Sequence, residues 1–138
     1  MTIELVPLTN ATITLAEPMV LPNTPSGTRV IVEVEDAVLD GERLSGKLKG
    51  HAAADWLTMA PDGIGTLDVR ATFETHDGAL VFCTYRGRSD FGTPGNPIYA
   101  APLYDTGDER YAWLNLVQAV AKGTVDGLTL TYEIYELR

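Results

Sequence analysis

Only one cysteine, Cys83, occurs in the 138 residues. No intramolecular disulfide can form and no cysteine-based zinc site is possible, which predicts a reducing, cytoplasmic setting. Basic residues are scarce as well: ten against nineteen acids, for a formal net charge of −9. A phosphate-binding footprint needs a basic surface, so neither nucleic acid nor an anionic membrane is expected as a partner. The acids are spread singly and read as a solubilising surface. No apolar run approaches the roughly 18 residues of a membrane span. Met1 to Pro7 carries Glu4 and no basic residue, unlike a secretory signal. The two histidines, His51 and His76, lack the helical spacing of a zinc protease, and His76 lies in a turn signal, so no metal site is expected. There is no Gly-x-Ser-x-Gly elbow and no glycine loop followed by lysine. Nucleophile-elbow hydrolysis is thereby excluded, and no cofactor is expected.

What remains fits one domain spanning residues 1–138, long enough to bury a core without staples. Thr, Val and Ile supply about a quarter of the residues, which favours strands. Turn signals recur at Asp40-Gly41, Pro61-Asp62-Gly63, His76-Asp77-Gly78, Thr106-Gly107-Asp108 and Asp126-Gly127. Between them, Arg29 to Asp36, Gly65 to Thr75, Ala79 to Arg86 and Leu128 to Leu137 alternate with period two. Such spacing predicts an all-β sandwich or barrel. Residues 108–122 stand apart. Trp113, Leu116, Val117 and Val120 recur at helical spacing, with Asp108 placed to cap the start and Gly123 the end. A buried strand fits the same residues, although the pattern leans to helix. Gly87 to Pro97 holds three glycines and two prolines, which predicts an irregular segment. It is either a lid over a barrel mouth or a plain surface connection.

The Pro61 turn sets a register. A three-residue loop with a glycine bulge avoids placing Pro61 where an N–H is needed, and it pairs Thr58 with Thr66 and Trp56 with Asp68. Trp56, Asp68 and Arg70 then share one face, with Leu67, Val69, Ala71 and Phe73 on the other. For the next turn, a two-residue Asp77-Gly78 loop sets Arg70 opposite Tyr85, and a three-residue loop sets it opposite Thr84. The Asp-Gly pair favours the first. Two readings of the polar face follow. Asp68, Arg70, Thr72 and Glu74 are either a solvated outer wall or, in a closed barrel, the lining of a lumen that holds one ligand.

Gly41-Glu42-Arg43-Leu44-Ser45-Gly46, Ala54-Asp55-Trp56, Leu67-Asp68-Val69-Arg70 and Asp77-Gly78-Ala79-Leu80 follow one another in an order that resembles the domain-of-unknown-function 3237 family. Tyr111-Ala112-Trp113-Leu114-Asn115, Val120-Ala121-Lys122-Gly123 and Tyr132-Glu133-Ile134-Tyr135-Glu136-Leu137 extend the likeness over nearly the whole chain. The resemblance implies a single small antiparallel β-barrel with a central lumen and little helix. It tips Trp113 to Lys122 toward strand and favours Asp55-Trp56, Asp68 and Arg70 as parts of a lumenal site. Glu35-Asp36-Ala37 and His51-Ala52-Ala53-Ala54 depart from the family's glycine-rich pattern, which implies a different pocket mouth or substrate. The family supplies no established activity.

Within that frame Arg70 would hold a carboxylate or polarise a carbonyl, and Asp68 would act as a general base. Both would lie inside the barrel. Asp55, Trp56, Tyr85, Tyr99, Trp113 and Asn115 complete the expected ligand-binding set: tryptophans to stack, Tyr85 and Tyr99, with Tyr132 as a further candidate, to line the pocket or protonate an enolate, Asn115 to orient a carbonyl or water. Each also has a plain structural role open to it, and Cys83 reads as a buried small hydrophobe. The expected function is binding of a small aromatic or carbonyl-bearing metabolite. Cofactor-independent isomerase, lyase or cyclase chemistry is one form of it, and a non-catalytic binding or scaffold protein is the other. A homodimer is the default assembly.

Overall fold

The computed structural model describes residues 1–138. Eleven strands form: β1 (Leu5–Leu15), β2 (Met19–Thr24), β3 (Gly27–Asp40), β4 (Gly46–Leu48), β5 (Ala54–Met59), β6 (Ile64–Thr75), β7 (Leu80–Asp90), β8 (Ile98–Ala100), β9 (Leu103–Asp105), β10 (Ala119–Asp126) and β11 (Thr129–Leu137). Eight of them close an antiparallel barrel in the order β6–β5–β3–β1–β11–β10–β8–β7, with β7 returning to β6 along the full length of both strands. β4 bridges β3 and β6, β9 extends β7, and β2 pairs only with β3. Closure gives each of the eight barrel strands two neighbours, and only the short added strands β2 and β9 keep an open edge. No helix is long and apolar enough to cross a membrane.

Period-two alternation decides what faces inward. On β6, Leu67, Val69, Ala71 and Phe73 are buried, while Asp68, Thr72 and Glu74 are half-buried and Arg70 is exposed. Leu8, Ala11 and Ile13 of β1, Val81 and Cys83 of β7, and Leu130, Tyr132 and Ile134 of β11 join the same core. At the end of the barrel near the β6–β7 turn, a 3-10 helix (Glu109–Leu116) seats Tyr111 and Leu114 in that core. Asp108 caps it, its side chain accepting from Arg110 N–H at 2.9 Å.

Four sequence expectations meet the coordinates here. The Pro61 turn has the expected three-residue form: Ala60 N–H donates to Ile64 O and Gly63 N–H to Ala60 O, both at 2.9 Å, and Thr58 pairs with Thr66. The next turn differs. Arg70 pairs with Thr84 rather than Tyr85, because His76 joins the loop. A two-residue type I′ turn needs positive φ at both central residues, and only Gly78 has it, at +91°. Asp77 is held instead by Thr75 Oγ1, which donates to it at 2.6 Å, and by the Tyr111 hydroxyl at 2.8 Å. Residues 108–122 divide: the helix ends at Leu116, and Ala119 onward is strand, so Gly123 is a strand residue and not a helix cap. Finally, Gly87 to Asp90 is regular strand. Gly87 pairs with both Leu67 and Ala100, and a Cβ there would lie 2.4 Å from Tyr99 O, so glycine permits the close strand approach. Only residues 91–97 are irregular, and Asp90 braces them by accepting from Gly92 N–H at 2.9 Å.

Candidate functional site

The lumen opens at the end opposite the 3-10 helix. A cavity of about 250 Å³ lies there, rimmed by Pro18, Met59, Phe91, Val125 and Leu128 and walled by Val30, Leu57, Leu67 and Ile98. Its volume sits just below the usual range for small-molecule pockets. A narrower space of about 30 Å³ continues toward the helix, lined by Ala71, Phe73, Cys83, Tyr104 and Tyr132. Ile13, Val34, Val69 and Tyr85 line both, so Tyr85 stands at the junction. Phe91 is the one residue of the irregular 91–97 segment on this wall.

Asp55 is the only ionisable carboxyl among these walls. Its position follows from the β5–β6 register: Asp55 pairs with the inward-facing Val69, which in turn pairs with Tyr85. The three side chains therefore form one row across β5, β6 and β7. Burial pushes the Asp55 carboxyl up to about 6; the hydrogen bond from Asp68 N–H to Oδ1, at 3.0 Å, opposes this, and the nearby Asp68 charge adds to it. A group that changes charge at about pH 6 in an apolar chamber can take or give a proton. Tyr85 and Tyr132 meet edge to face, ring centroids 5.6 Å apart and planes at 78°. Burial raises the pKa of both hydroxyls, so both stay protonated. Burial also pushes the Cys83 thiol up to about 12, which leaves it without thiolate reactivity.

Of the eight expected site residues, only Asp55 and Tyr85 line the lumen. Asp68 and Arg70 lie on the outer wall, which corrects the lumenal placement of both. The alternation that buries Leu67 and Val69 leaves no other direction for their neighbours. Arg70 has no carboxylate partner; its guanidinium lies over the Trp56 ring, 4.6 Å from the centroid, on the outside. Asp68 reaches the site only through its backbone N–H. Tyr99 is exposed on β8. Trp113 sits on the 3-10 helix beneath Arg43, whose guanidinium lies 4.7 Å above its ring while Nη2 donates to Glu136 at 2.7 Å. Asn115 clamps a loop, accepting from Thr106 N–H and donating to Thr106 O, each at 2.9 Å. Neither Trp113 nor Asn115 lines a cavity of the lumen. Tyr132, singled out by sequence only as one of several tyrosines, is in the lumen because it shares the phase of Leu130 and Ile134. No group of three or more His, Cys, Asp or Glu side chains converges as a metal centre would need.

A larger groove, about 450 Å³, runs outside the barrel along Pro7–Asn10, Gly41–Arg43 and Glu133–Tyr135. It is open to solvent, so its charged groups stay hydrated and little distinguishes it chemically; the lumen is the stronger site.

A family model described as a protein of unknown function, DUF3237, matches residues 3–97. The chain belongs to this family. The matched span includes Asp55, Asp68, Arg70 and Tyr85 and ends before β8. A UPF0311 protein of Rhodopseudomonas palustris (strain TIE-1) is 30% identical over 103 residues, covering 64% of this chain and 67% of the relative. Among solved structures, a β-barrel-like protein from Acinetobacter baumannii AYE matches with a TM-score of 0.91 at 25% identity, over 100% of this chain and 98% of the other. An enzyme from Penicillium herquei matches with a TM-score of 0.74 at 24% identity, over 99% and 94% of the two chains. These whole-length likenesses support the barrel beyond residue 97, where the family model stops.

Arg70→Ala should cost less than about 1 kcal/mol, because an exposed cation over an aromatic face contributes little. A thermal melt checks this, and a loss above about 2 kcal/mol would mean that Arg70 has a buried role.

Proposed function

We propose that the barrel binds a small, largely apolar molecule in its lumen, with Asp55 as the group that exchanges a proton with it. The observation that carries this reading is one buried carboxyl, pushed up to about 6, in the wall of an otherwise apolar cavity of about 250 Å³. Enclosure by Val30, Leu57, Leu67 and Ile98 supplies affinity through apolar burial. Asp55 supplies the polar contact that orients a hydroxyl or carbonyl, and its charge state is poised for acid–base chemistry without a cofactor. Isomerisation, elimination or cyclisation next to a carbonyl all fall within what one such group can assist. The role first expected of Asp68 and Arg70 thus passes to Asp55. That the Penicillium neighbour is an enzyme is consistent with turnover on this fold.

N-phenyl-1-naphthylamine, a neutral fluorescent probe, tests the reading. Its binding dehydrates Asp55, so it should favour the protonated barrel. Affinity should fall as pH rises from about 5 to about 8, with a midpoint near the Asp55 pKa of about 6, and the Asp55→Asn protein should show a flat profile. Arg70→Ala should leave the wild-type profile unchanged. A wild-type affinity independent of pH, or a profile that survives in Asp55→Asn, would overturn the assignment.

A further inference from the structure

The lumen holds a second polar group with nothing to bind. Tyr132 is 3% exposed, and its hydroxyl has no hydrogen-bond partner. The Tyr85 ring meets Tyr132 edge to face and its hydroxyl is the nearest polar neighbour, but the two hydroxyls do not reach hydrogen-bond distance. Most tyrosine hydroxyls buried in a protein find a partner, because leaving one unpaired costs free energy. The ring cannot swing away to find one. Tyr132 pairs across the ladder with Gly123, and its Cε1 lies 2.5 Å from where a Cβ on Gly123 would be. The ring therefore lies flat against the β10 backbone, in space that only glycine leaves free. The space beside it is lined mostly by apolar side chains, Ala11, Phe73, Ala121 and Ile134 among them, and the polar neighbours Cys83, Tyr85 and Tyr104 make no hydrogen bond to the Tyr132 hydroxyl.

We propose that Tyr132 is the hydrogen-bond donor for the oxygen of a carbonyl ligand, and that with Asp55 it forms an enolisation pair for a small apolar ketone or related carbonyl compound. The inference rests on the reading of the lumen as the binding site with Asp55 as its proton acceptor. It adds the ligand class and a second catalytic group.

Three observations select this chemistry. An apolar chamber with one carboxyl, and with the Tyr132 hydroxyl as the one fully buried side-chain polar atom lacking a partner, matches a compact hydrocarbon frame bearing a single acceptor oxygen. Tyr132 acts as donor rather than anion: burial disfavours a phenolate most, the neighbouring Tyr85 hydroxyl opposes this in part, and the Asp55 charge adds to it. Asp55 lines the wider cavity and Tyr132 the narrower space, and Tyr85, which lines both and touches Tyr132, joins them, so a ligand at the junction would lie between the two groups. A carboxylate base paired with a tyrosine donor in an apolar site is a recurring solution for proton transfer next to a carbonyl.

The step balances without a co-reactant. The Asp55 carboxylate takes a proton from the carbon beside the carbonyl, and that C–H pair becomes the new C=C bond. The former C=O π pair moves to oxygen, and the resulting oxyanion accepts the Tyr132 O–H hydrogen bond. Reversal returns the proton from Asp55 to the same carbon or, in a conjugated ligand, to a different one.

1-Indanone and its hydrocarbon analogue indane separate the roles. In D₂O, wild-type protein should exchange the C2 hydrogens of 1-indanone, followed by proton NMR, faster than buffer alone. Tyr132→Phe should slow exchange about 100-fold, the loss expected for one oxyanion donor. It should leave indane affinity within about twofold and the melting temperature no lower, because the variant removes an unpaired hydroxyl. Asp55→Asn should abolish exchange. Wild-type rates in Tyr132→Phe, an equal loss of indane binding, or a lowered melting temperature would each overturn the role of Tyr132. Bound 1-indanone with no exchange would overturn the enolisation pair while pH-dependent binding of N-phenyl-1-naphthylamine still upheld Asp55. Failure of wild-type protein to bind indane at all would remove both readings.

Discussion

Leu114→Ala should lower the melting temperature by about 10 °C, equivalent to a loss of about 3 kcal/mol for a domain of this size. Leu114 is fully buried, at 0% exposure, and it lies on the 3-10 helix that occupies one end of the barrel. An eight-residue 3-10 helix has almost no stability of its own, so packing and end contacts must fix it. The end contacts are polar and exposed or only half-buried: the Asp108 cap, the Arg110–Asp108 pair at 2.8 Å, and the Asn115 clamp on Thr106. Exposed pairs of this kind contribute little each. The apolar anchors, Tyr111 and Leu114, therefore dominate, and Leu114 is the larger loss on truncation because a closed barrel wall cannot collapse into the space. Leu114→Met, which keeps the volume, should cost less than about 1.5 kcal/mol. Thermal melts of the two variants check this, and a drop of only a few degrees for alanine would show that the helix sits loosely on the barrel.

The barrel itself was legible because closure and alternation are local consequences of sequence. Leu67, Val69, Ala71 and Phe73 announce a buried face two residues at a time, and the Pro61 turn fixes their register against β5. The same two facts placed Asp55. With Thr58 opposite Thr66, Asp55 falls opposite Val69 and takes the inward phase, and Trp56 takes the outward one. The alternation left the Asp68–Arg70 face open to two readings, an outer wall or a lumen, and the likeness to a family favoured the lumenal one. Where a motif and a period of two disagree, sterics decide, because flipping one side chain of a strand inward requires a bulge and β6 has none. Other features were not legible locally. The Asp77 turn is decided by Tyr111 and Thr75, and Tyr111 comes from a segment 34 residues away. The helix at 109–116 ends where the chain must rejoin β10, a tertiary demand that overrides the apolar spacing continuing to Val120. Tyr132 shows its phase in sequence, but that its hydroxyl finds no partner depends on what Gly123 and the facing strands bring near it.

Asp55→Asn should stabilise the protein at pH 8 by about 2–3 kcal/mol and change it by less than about 1 kcal/mol at pH 4. The folded-state carboxyl titrates at about 6, against an ordinary value of 3.8. Between those values the folded chain binds more protons than the unfolded chain, so stability falls as pH rises through the window. Above about pH 7 both states are ionised, and the folded one carries a charge that burial has stripped of water. A difference of about two pH units corresponds to about 3 kcal/mol at the plateau, and the access of solvent through the cavity mouth trims that figure. Below about pH 3 the carboxyl is neutral in both states and the penalty vanishes. Asparagine keeps the acceptor for Asp68 N–H, which lies 3.0 Å from Oδ1, and it cannot ionise. Its unfolding free energy should therefore lack the downward step that wild-type protein shows between about pH 4 and pH 6. Urea titrations of both proteins at pH 4, 6 and 8 measure the step directly. Parallel curves at every pH would mean that Asp55 is hydrated in the folded chain, and the acid–base role of the lumen would fall with it. Such a penalty at neutral pH, which asparagine would remove, would support the proposed acid–base role of Asp55.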